Sequence, residues 1–394
     1  MLRVYLQLSL ILTLGAAAPA GDPGRDLLGL WKLPGDDGKF NGTDREVVIP
    51  HSRELDVGKG DFTIPLWGHF EQALGGVVGD LGTKLDPQTH RGWSLSIVSN
   101  AAAASAQANH RQLHFSIDDG RPEPPWTDCG RPGEAVYVFA LAVHDGCLYS
   151  GTCEPGVDAA GHVHRYAGGT VWVDRGRAPD KANAVTALAS FEGSLYAATA
   201  KYRLRGSSLP ESPNEHHGGS VYRLQGDGRW IHCGKLGDAE AVSSLVVYRG
   251  RLYASSLYSP GVWRYEGESR WTNLGTPGGR RVEALAPFNG ALYGGGYDAG
   301  EVYRYEPDLG WKVVTAISDA TQTYGFAVYR GRLHVGTWPS GSVFRQDKEG
   351  WTSTGRLGNE KEVMGMAIYG GRLYAGTLPL AEVYRYDGDG RWTS

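Results

Sequence analysis

Two places in this chain carry side chains suited to binding or reaction, and both depart from the regular pattern around them. In the stretch Lys201-Tyr-Arg-Leu-Arg-Gly-Ser-Ser-Leu-Pro-Glu-Ser-Pro-Asn-Glu-His-His217, Tyr202 offers an aromatic face and Arg203 and Arg205 offer forked donors. Glu215, His216 and His217 close the same stretch. A tyrosine flanked by guanidiniums suits stacking on, and hydrogen bonding to, a sugar or a carboxylated polymer. Adjacent histidines in one loop make a poor metal cage, because their side chains diverge. These six residues are therefore read as a ligand-binding set, with no metal and no catalytic residue assigned; a plain solvated loop is the competing reading. The second place is Glu283, with Phe139, Thr186, Ser243, Tyr324 and Met364 at the corresponding points of a repeat. Glycosidic acid–base chemistry needs two carboxyls, and a lone acid favours binding over catalysis.

The pattern these residues interrupt is a phrase that recurs six times: Gly-x-Leu-Tyr, a spacer, Val-Tyr-Arg-Tyr, a polar turn, then Trp. Its glycines are Gly146, Gly193, Gly250, Gly290, Gly331 and Gly371, and its tryptophans Trp172, Trp230, Trp271, Trp311, Trp351 and Trp392. A period of roughly 40–50 residues is that of one four-stranded propeller blade. In the clearest unit, Val242–Tyr248, Arg251–Ser256, Gly261–Tyr265 and Trp271–Leu274 are expected to be successive strands of a meander. One such sheet cannot bury both faces alone, and stacking about an axis solves this. The first strand of each unit, as in Ala187-Leu-Ala-Ser190 or Ser244-Leu-Val-Val247, is small-residue rich and is expected at the crowded centre. The long connector 201–217 and the connector from Cys153 to His162 then emerge together at one end, as a lip around the axial mouth.

Tyr253, Tyr265 and Trp271, with Tyr374, Tyr386 and Trp392, resemble kelch-type repeats in residue type and spacing, while the glycine pair of that family is replaced by Ala-Gly-Thr or Ala-Ser-Ser. The resemblance implies a propeller and carries no kelch function. A seventh motif, Trp126-Thr-Asp-Cys-Gly130, resembles Trp271-Thr-Asn-Leu-Gly275 and reads as an outer strand without its three partners. Two rings fit: a seven-bladed ring truncated at its C-terminal side, or a closed six-bladed ring with Trp126 in a linker. The turns before Trp, as in Asp387-Gly-Asp-Gly-Arg-Trp392, have only a faint likeness to the Asp-box of sialidases. Arg165, Arg223, Arg264, Arg304, Arg345 and Arg385 share one register on the third strand and are expected to stack on neighbouring aromatic rings, not to form an anion ring.

Residues 27–123 differ in texture. Phe40-Asn-Gly-Thr-Asp-Arg-Glu-Val-Val-Ile-Pro50, Gly60-Asp-Phe-Thr-Ile64, Trp67, Arg91-Gly-Trp-Ser-Leu-Ser96 and Leu113-His-Phe-Ser-Ile-Asp118 resemble the first half of a laminin-G-like (concanavalin-like) jelly roll. The alternation Trp93-Ser-Leu-Ser-Ile-Val98 suits a sandwich strand. Half a sandwich leaves an apolar face open, which implies that the propeller is inserted into the jelly roll. Pro65 is expected at a sheet edge, and Ala101–Ala108 in a loose connector. The fold class is accordingly all-β, a propeller over 126–394 after an incomplete laminin-G-like sandwich.

Arg3, the apolar run Leu6–Leu14 and Ala18-Pro19-Ala20 read as a signal peptide over residues 1–20. Its apolar run is too short to span a bilayer, which predicts a secreted, extracellular or periplasmic protein. Export permits disulfides among Cys129, Cys147, Cys153 and Cys233, whose three pairings sequence leaves open, and reduced, buried cysteines are the alternative. Cys147 and Cys153 fall on one strand, where six residues span roughly 20 Å, too far for a bridge unless the strand breaks. Asn41-Gly-Thr43 satisfies a glycosylation sequon and also reads as a hairpin turn. The formal net charge is −4 with no basic stripe, so nucleic acid is not an expected partner. No cofactor is expected, and a calcium requirement is left open. The expected function is a non-enzymatic binding or scaffold protein for extracellular glycan or protein; the alternative is a polysaccharide-active hydrolase or lyase.

Overall fold

A computed structural model describes residues 7–10, 29–32, 48–51, 66–67, 79–86, 91–98, 112–118, 126–204, 210–348, 350–369 and 372–394. The connector 101–108, the sequon at 41–43, Pro65, Arg205 and Gly371 lie outside them. The chain divides into two compact units, Met1–Leu74 and Gly75–Ser394. In the first, β1 (Gln7–Leu10), within the expected leader, is the central strand of an antiparallel sheet with β2 (Gly29–Lys32) and β3 (Leu66–Trp67).

The second unit opens with an antiparallel sheet of β4 (Gly79–Leu85), β5 (Gly92–Val98) and β6 (Gln112–Asp118). The expected alternation along β5 is not seen at its start, where Trp93 and Ser94 are both buried; Trp93 packs over Gly82, where no Cβ intervenes. Six four-stranded antiparallel meanders follow. The first comprises β7 (Tyr137–His144), β8 (Cys147–Cys153), β9 (His162–Gly168) and β10 (Val171–Arg177). The second is β11 (Ala184–Phe191), β12 (Ser194–Ala200), β13 (Ser220–Leu224) and β14 (Trp230–Lys235). The third is β15 (Ala241–Tyr248), β16 (Arg251–Leu257), β17 (Gly261–Gly267) and β18 (Arg270–Asn273). The fourth is β19 (Val282–Phe288), β20 (Ala291–Gly296), β21 (Glu301–Glu306) and β22 (Gly310–Ala316). The fifth is β23 (Gln322–Tyr329), β24 (Arg332–Trp338), β25 (Ser342–Asp347) and β26 (Gly350–Arg356). The sixth is β27 (Glu362–Tyr369), β28 (Arg372–Leu378), β29 (Val383–Gly388) and β30 (Arg391–Thr393).

In the first five meanders the repeat glycine makes the first hairpin. Asp145, Glu192, Arg249, Asn289 and Arg330 have φ between 46 and 49°, and the glycine after each has φ between 68 and 72°. Two successive left-handed residues define a type I′ turn, whose twist matches that of the paired strands, and glycine adopts the second position without strain. Because the turn fixes register, Tyr248 pairs with Arg251 and Val246 with Tyr253, with equivalent pairs elsewhere. The first strands β7, β11, β15, β19, β23 and β27 pack against one another in succession. That is the arrangement of innermost propeller strands, and β15 and β19 are buried along their whole length.

The repeat tryptophan joins neighbouring blades at the rim. Trp230 Nε1 donates to the Arg175 carbonyl at 2.9 Å, Trp271 Nε1 to Cys233 at 2.7 Å, and Trp392 Nε1 to Thr354 at 2.8 Å. In each case the acceptor lies three residues after the preceding blade's own tryptophan. Trp172 Nε1 donates to Cys129 at 2.8 Å, and Cys129 is three residues after Trp126. The segment 126–130 thus sits before the first blade as an outer strand would. On its other side Trp126 meets Tyr374 of β28 edge-on, with ring centroids 6.4 Å apart.

One expectation is revised. Three of the six register arginines form ion pairs in place of ring stacking: Arg264 bonds Glu266 at 2.7 Å, Arg345 bonds Asp347 at 3.0 Å and Arg385 bonds Asp387 at 2.8 Å. A carboxylate two residues on along a strand shares the same face, which outcompetes a ring for the guanidinium. Asp387 is thereby committed to structure, since it also accepts from Thr393. The four cysteines are free, and Cys147 and Cys153 stand at opposite ends of β8.

Candidate functional site

In an antiparallel hairpin the start of the first strand and the end of the second lie together, opposite the turn. The connectors following β8 and β12 therefore emerge at the end away from the type I′ turns. They dock on each other as expected. Asn214, fully buried, donates to the Ala159 carbonyl at 2.7 Å and the Lys181 carbonyl at 2.9 Å. Ser212 Oγ donates to the Pro155 carbonyl at 3.4 Å. A buried amide with both donors satisfied fixes the loop's path.

The structure brings together part of the sequence-derived set. Tyr202 exchanges two backbone bonds with the Asn183 amide, at 2.7 and 2.8 Å. Its ring meets Phe139 at 4.6 Å and Tyr137 at 5.9 Å between centroids. Arg203 pairs with Glu240 at 3.3 Å and lies 5.0 Å from the Tyr258 ring centre. His217 reaches the same Glu240 at 3.4 Å, so one carboxylate ties both ends of the loop. Glu215 and His216 are exposed, and the His216 N–H bonds Asn214 Oδ1 at 2.8 Å. Continuing around the same end, Arg281 covers the Tyr297 ring at 4.2 Å and pairs with Asp298. The mouth is a rim of tyrosines with guanidiniums laid on two of them.

Beneath this rim lies the acid that sequence treated as solitary. Glu283 is buried, one of its oxygens has no partner, and burial, with Glu362 adding to it against Arg281, pushes its carboxyl up to about 8. Glu362, at the start of β27, is raised by its own burial against a hydrogen bond with Tyr324. Glu283 therefore has a second carboxyl in electrostatic reach, correcting the reading of a lone acid. Glu362 was missed because it sits two residues before Met364, in register with Arg281 and Gln322; only the strand bounds reveal it as part of an innermost strand. Tyr324, itself buried, also donates to Gln322. Burial first, then both glutamates, raise its hydroxyl.

A second concavity of about 610 Å³ lies at the turn end between the first two blades, lined by Asp145, Tyr149, Arg175, Arg223 and Asp227. It is remote from the rim.

No protein-family model matches the chain, and no curated protein matches it. Solved structures do. The virginiamycin B lyase of Staphylococcus aureus superposes with a TM-score of 0.52 at 11% identity, over 64% of this chain and 82% of that one. A catalytically inactive variant of that lyase with Quinupristin gives 0.53 at 11% identity, over 80% and 95%. The WD40 propeller domain of Doa1 gives 0.49 at 10% identity, over 82% and 99%. Identity this low shows the β-propeller fold alone, a fold that serves both enzymes and binding scaffolds. Among the described residues no helix is long and apolar enough to cross a membrane.

Proposed function

We propose that this is an exported binding or scaffold protein that recognises extracellular glycan or a protein surface through the tyrosine–arginine rim. The observation that carries the reading is the pairing of Arg203 with Tyr258 and Arg281 with Tyr297 at one end, beside the Tyr137–Phe139–Tyr202 group. Such a rim presents ring faces for stacking and fixed donors for hydroxyls or carboxylates. Burial also favours binding over chemistry: Glu283 and Tyr324 are shut beneath the rim, and a ligand at the mouth meets the rings first. The alternative, a polysaccharide hydrolase or lyase, draws support from Glu283 and Glu362 as an uneven pair of carboxyls, the first buried and the second half-buried.

Three finer readings belong to the same proposal. The leader directs export. Residues 27–123 are part of a laminin-G-like sandwich, supported by the antiparallel β4–β6 sheet. The ring has seven positions, supported by segment 126–130, which touches the first blade through Trp172 and the sixth through Tyr374.

A glycan array with neutral and acidic polysaccharides, run beside turnover assays on the same polymers, tests the function. Tyr202→Ala with Arg203→Ala should weaken the array signal at least about tenfold, corresponding to about 1.4 kcal/mol, without changing the fold by circular dichroism. Undiminished binding by that variant, or turnover abolished by Glu283→Gln, would sink the binding reading.

A further inference from the structure

We propose that the first blade carries a divalent transition-metal site of the zinc class, built from His162, His164 and Asp174. It uses none of the rim tyrosines or arginines and is independent of the ligand-binding reading. A ring nitrogen of each histidine and a carboxylate oxygen of Asp174 lie within 4.8 Å of one another.

The backbone makes this convergence. His162 and His164 are two residues apart on β9 and so project from one face. Asp174 of β10 is the direct cross-strand partner of His164. His162 Nδ1 stands 3.0 and 3.1 Å from the two Asp174 oxygens, and the two imidazoles are stacked with centroids 5.7 Å apart. Metal–nitrogen and metal–oxygen bonds of about 2.0–2.2 Å set tetrahedral donors roughly 3.4 Å apart. The His162–Asp174 pair is already near that separation. His164 stands within 4.8 Å of both and closes the set by a side-chain adjustment.

His164 supplies the second, independent observation. It is 5% exposed, yet its Nδ1 is buried without any hydrogen-bond partner. A buried lone nitrogen costs free energy unless something satisfies it. A coating loop holds the ring in place: Gly133 passes so close that a Cβ there would stand 3.1 Å from His164 Nε2. Buried Glu154, held by Thr152 Oγ1 at 3.0 Å, borders the same loop.

The repeat shows that packing does not require these residues. At the His164 position the other five blades hold Tyr222, Trp263, Tyr303, Phe344 and Tyr384, all aromatic. At the His162 position they hold Ser220, Gly261, Glu301, Ser342 and Glu382. Opposite, where blade one has Asp174, blade three has Asn273. Histidines replace an aromatic and a small or acidic residue in one blade only, beside a carboxylate that completes a ligand set. Two imidazoles and a carboxylate suit zinc and neighbouring transition ions better than calcium or magnesium.

The test uses the full chain and zinc itself, by equilibrium dialysis and competition with a chromophoric chelator, with cobalt substitution as a spectroscopic check. The repeat provides variants that preserve the blade: His162→Ser, His164→Tyr and Asp174→Asn. Expected are one zinc per chain in the parent, a visible cobalt d–d band, and affinity lower by about 100-fold or more in each variant. The double variant His216→Ala, His217→Ala should bind like the parent. Should His164→Tyr fail to fold, Asp174→Asn, at a partly exposed position, decides alone. Substoichiometric zinc in the parent, unchanged affinity in Asp174→Asn, or loss confined to the His216/His217 variant would each overturn the site.

Discussion

Glu283 and His334 are buried titratable groups at positions where the other blades place side chains uncharged at neutral pH. For Glu283 these are Phe139, Thr186, Ser243, Tyr324 and Met364; for His334 they are Tyr149, Tyr196, Tyr253, Tyr293 and Tyr374. Burial raises Glu283 to about 8 and lowers His334 to about 4. The consequences for stability have opposite signs. Between the ordinary glutamate range and pH 8 the folded chain holds a proton on Glu283 that the unfolded chain has released. Stability is therefore intact at low pH and lost as pH climbs to about 8. For His334 the unfolded chain takes up a proton below about 6.5 while the folded chain stays neutral, so stability present above 6.5 is lost as pH falls toward 4. Thermal denaturation against pH should show both limbs. Glu283→Gln should flatten the alkaline limb, and His334→Tyr, the residue of the other blades, the acid limb. Identical pH profiles for the parent and both variants would mean that neither group is buried in solution.

At the scale of the element, what sequence made legible was what the chain enforces locally. The type I′ turn needs a residue pair ending in glycine, and the strand after it needs Leu-Tyr, so hairpins and register could be read at Gly250 or Gly290 without a partner strand. The loop set was half legible: Tyr202 and Arg203 declared themselves by interrupting the repeat, but Glu240, which joins Arg203 to His217, lies beyond β14 and only folding delivers it. His162 and His164 were passed over because attention to insertions hides substitutions inside a regular strand; Asp174 is ten residues further on and becomes a neighbour only through register. The rim tryptophans give this scale its prediction. Trp271 donates to Cys233, whereas the Trp311 indole nitrogen is buried with no partner. Replacing each by Phe removes similar apolar area but a hydrogen bond only from the first. Trp271→Phe should cost about 1 kcal/mol more than Trp311→Phe in denaturant unfolding. Equal costs would show that the tryptophan acts by bulk alone and that the blade-to-blade bond contributes nothing.

For the whole molecule, the question is how many positions the ring has, and one register row turns it into an energetic test. Leu141, Leu188, Leu245, Leu285, Phe326 and Met366 occupy equivalent places on the six innermost strands, each opposite the third residue after the repeat Leu-Tyr begins or its equivalent on the second strand. Five are at most 2% exposed, whereas Leu141 is 37% exposed. Chemistry cannot explain the difference, since Leu188 and Leu245 are the same residue on the same kind of strand. What differs is the neighbour. Leu188 packs in the core shared by the first and second blades, and Met366 in that shared by the fifth and sixth. Before the first blade stands the outer-strand segment 126–130, which reaches Trp172 at the rim. On the sixth blade, Tyr369 of β27 is likewise exposed. A ring with a seventh, partly filled position therefore predicts unequal costs for one substitution. Leu245→Ala should destabilise by about 2–5 kcal/mol, the range for a buried leucine that leaves a cavity. Leu141→Ala, which removes atoms already part-solvated, should cost roughly 1 kcal/mol or less. Paired urea titrations of the two variants decide between the rings. If Leu141→Ala proves as costly as Leu245→Ala, the face of the first blade is covered in solution, the ring closes on six blades, and the segment around Trp126 is a linker.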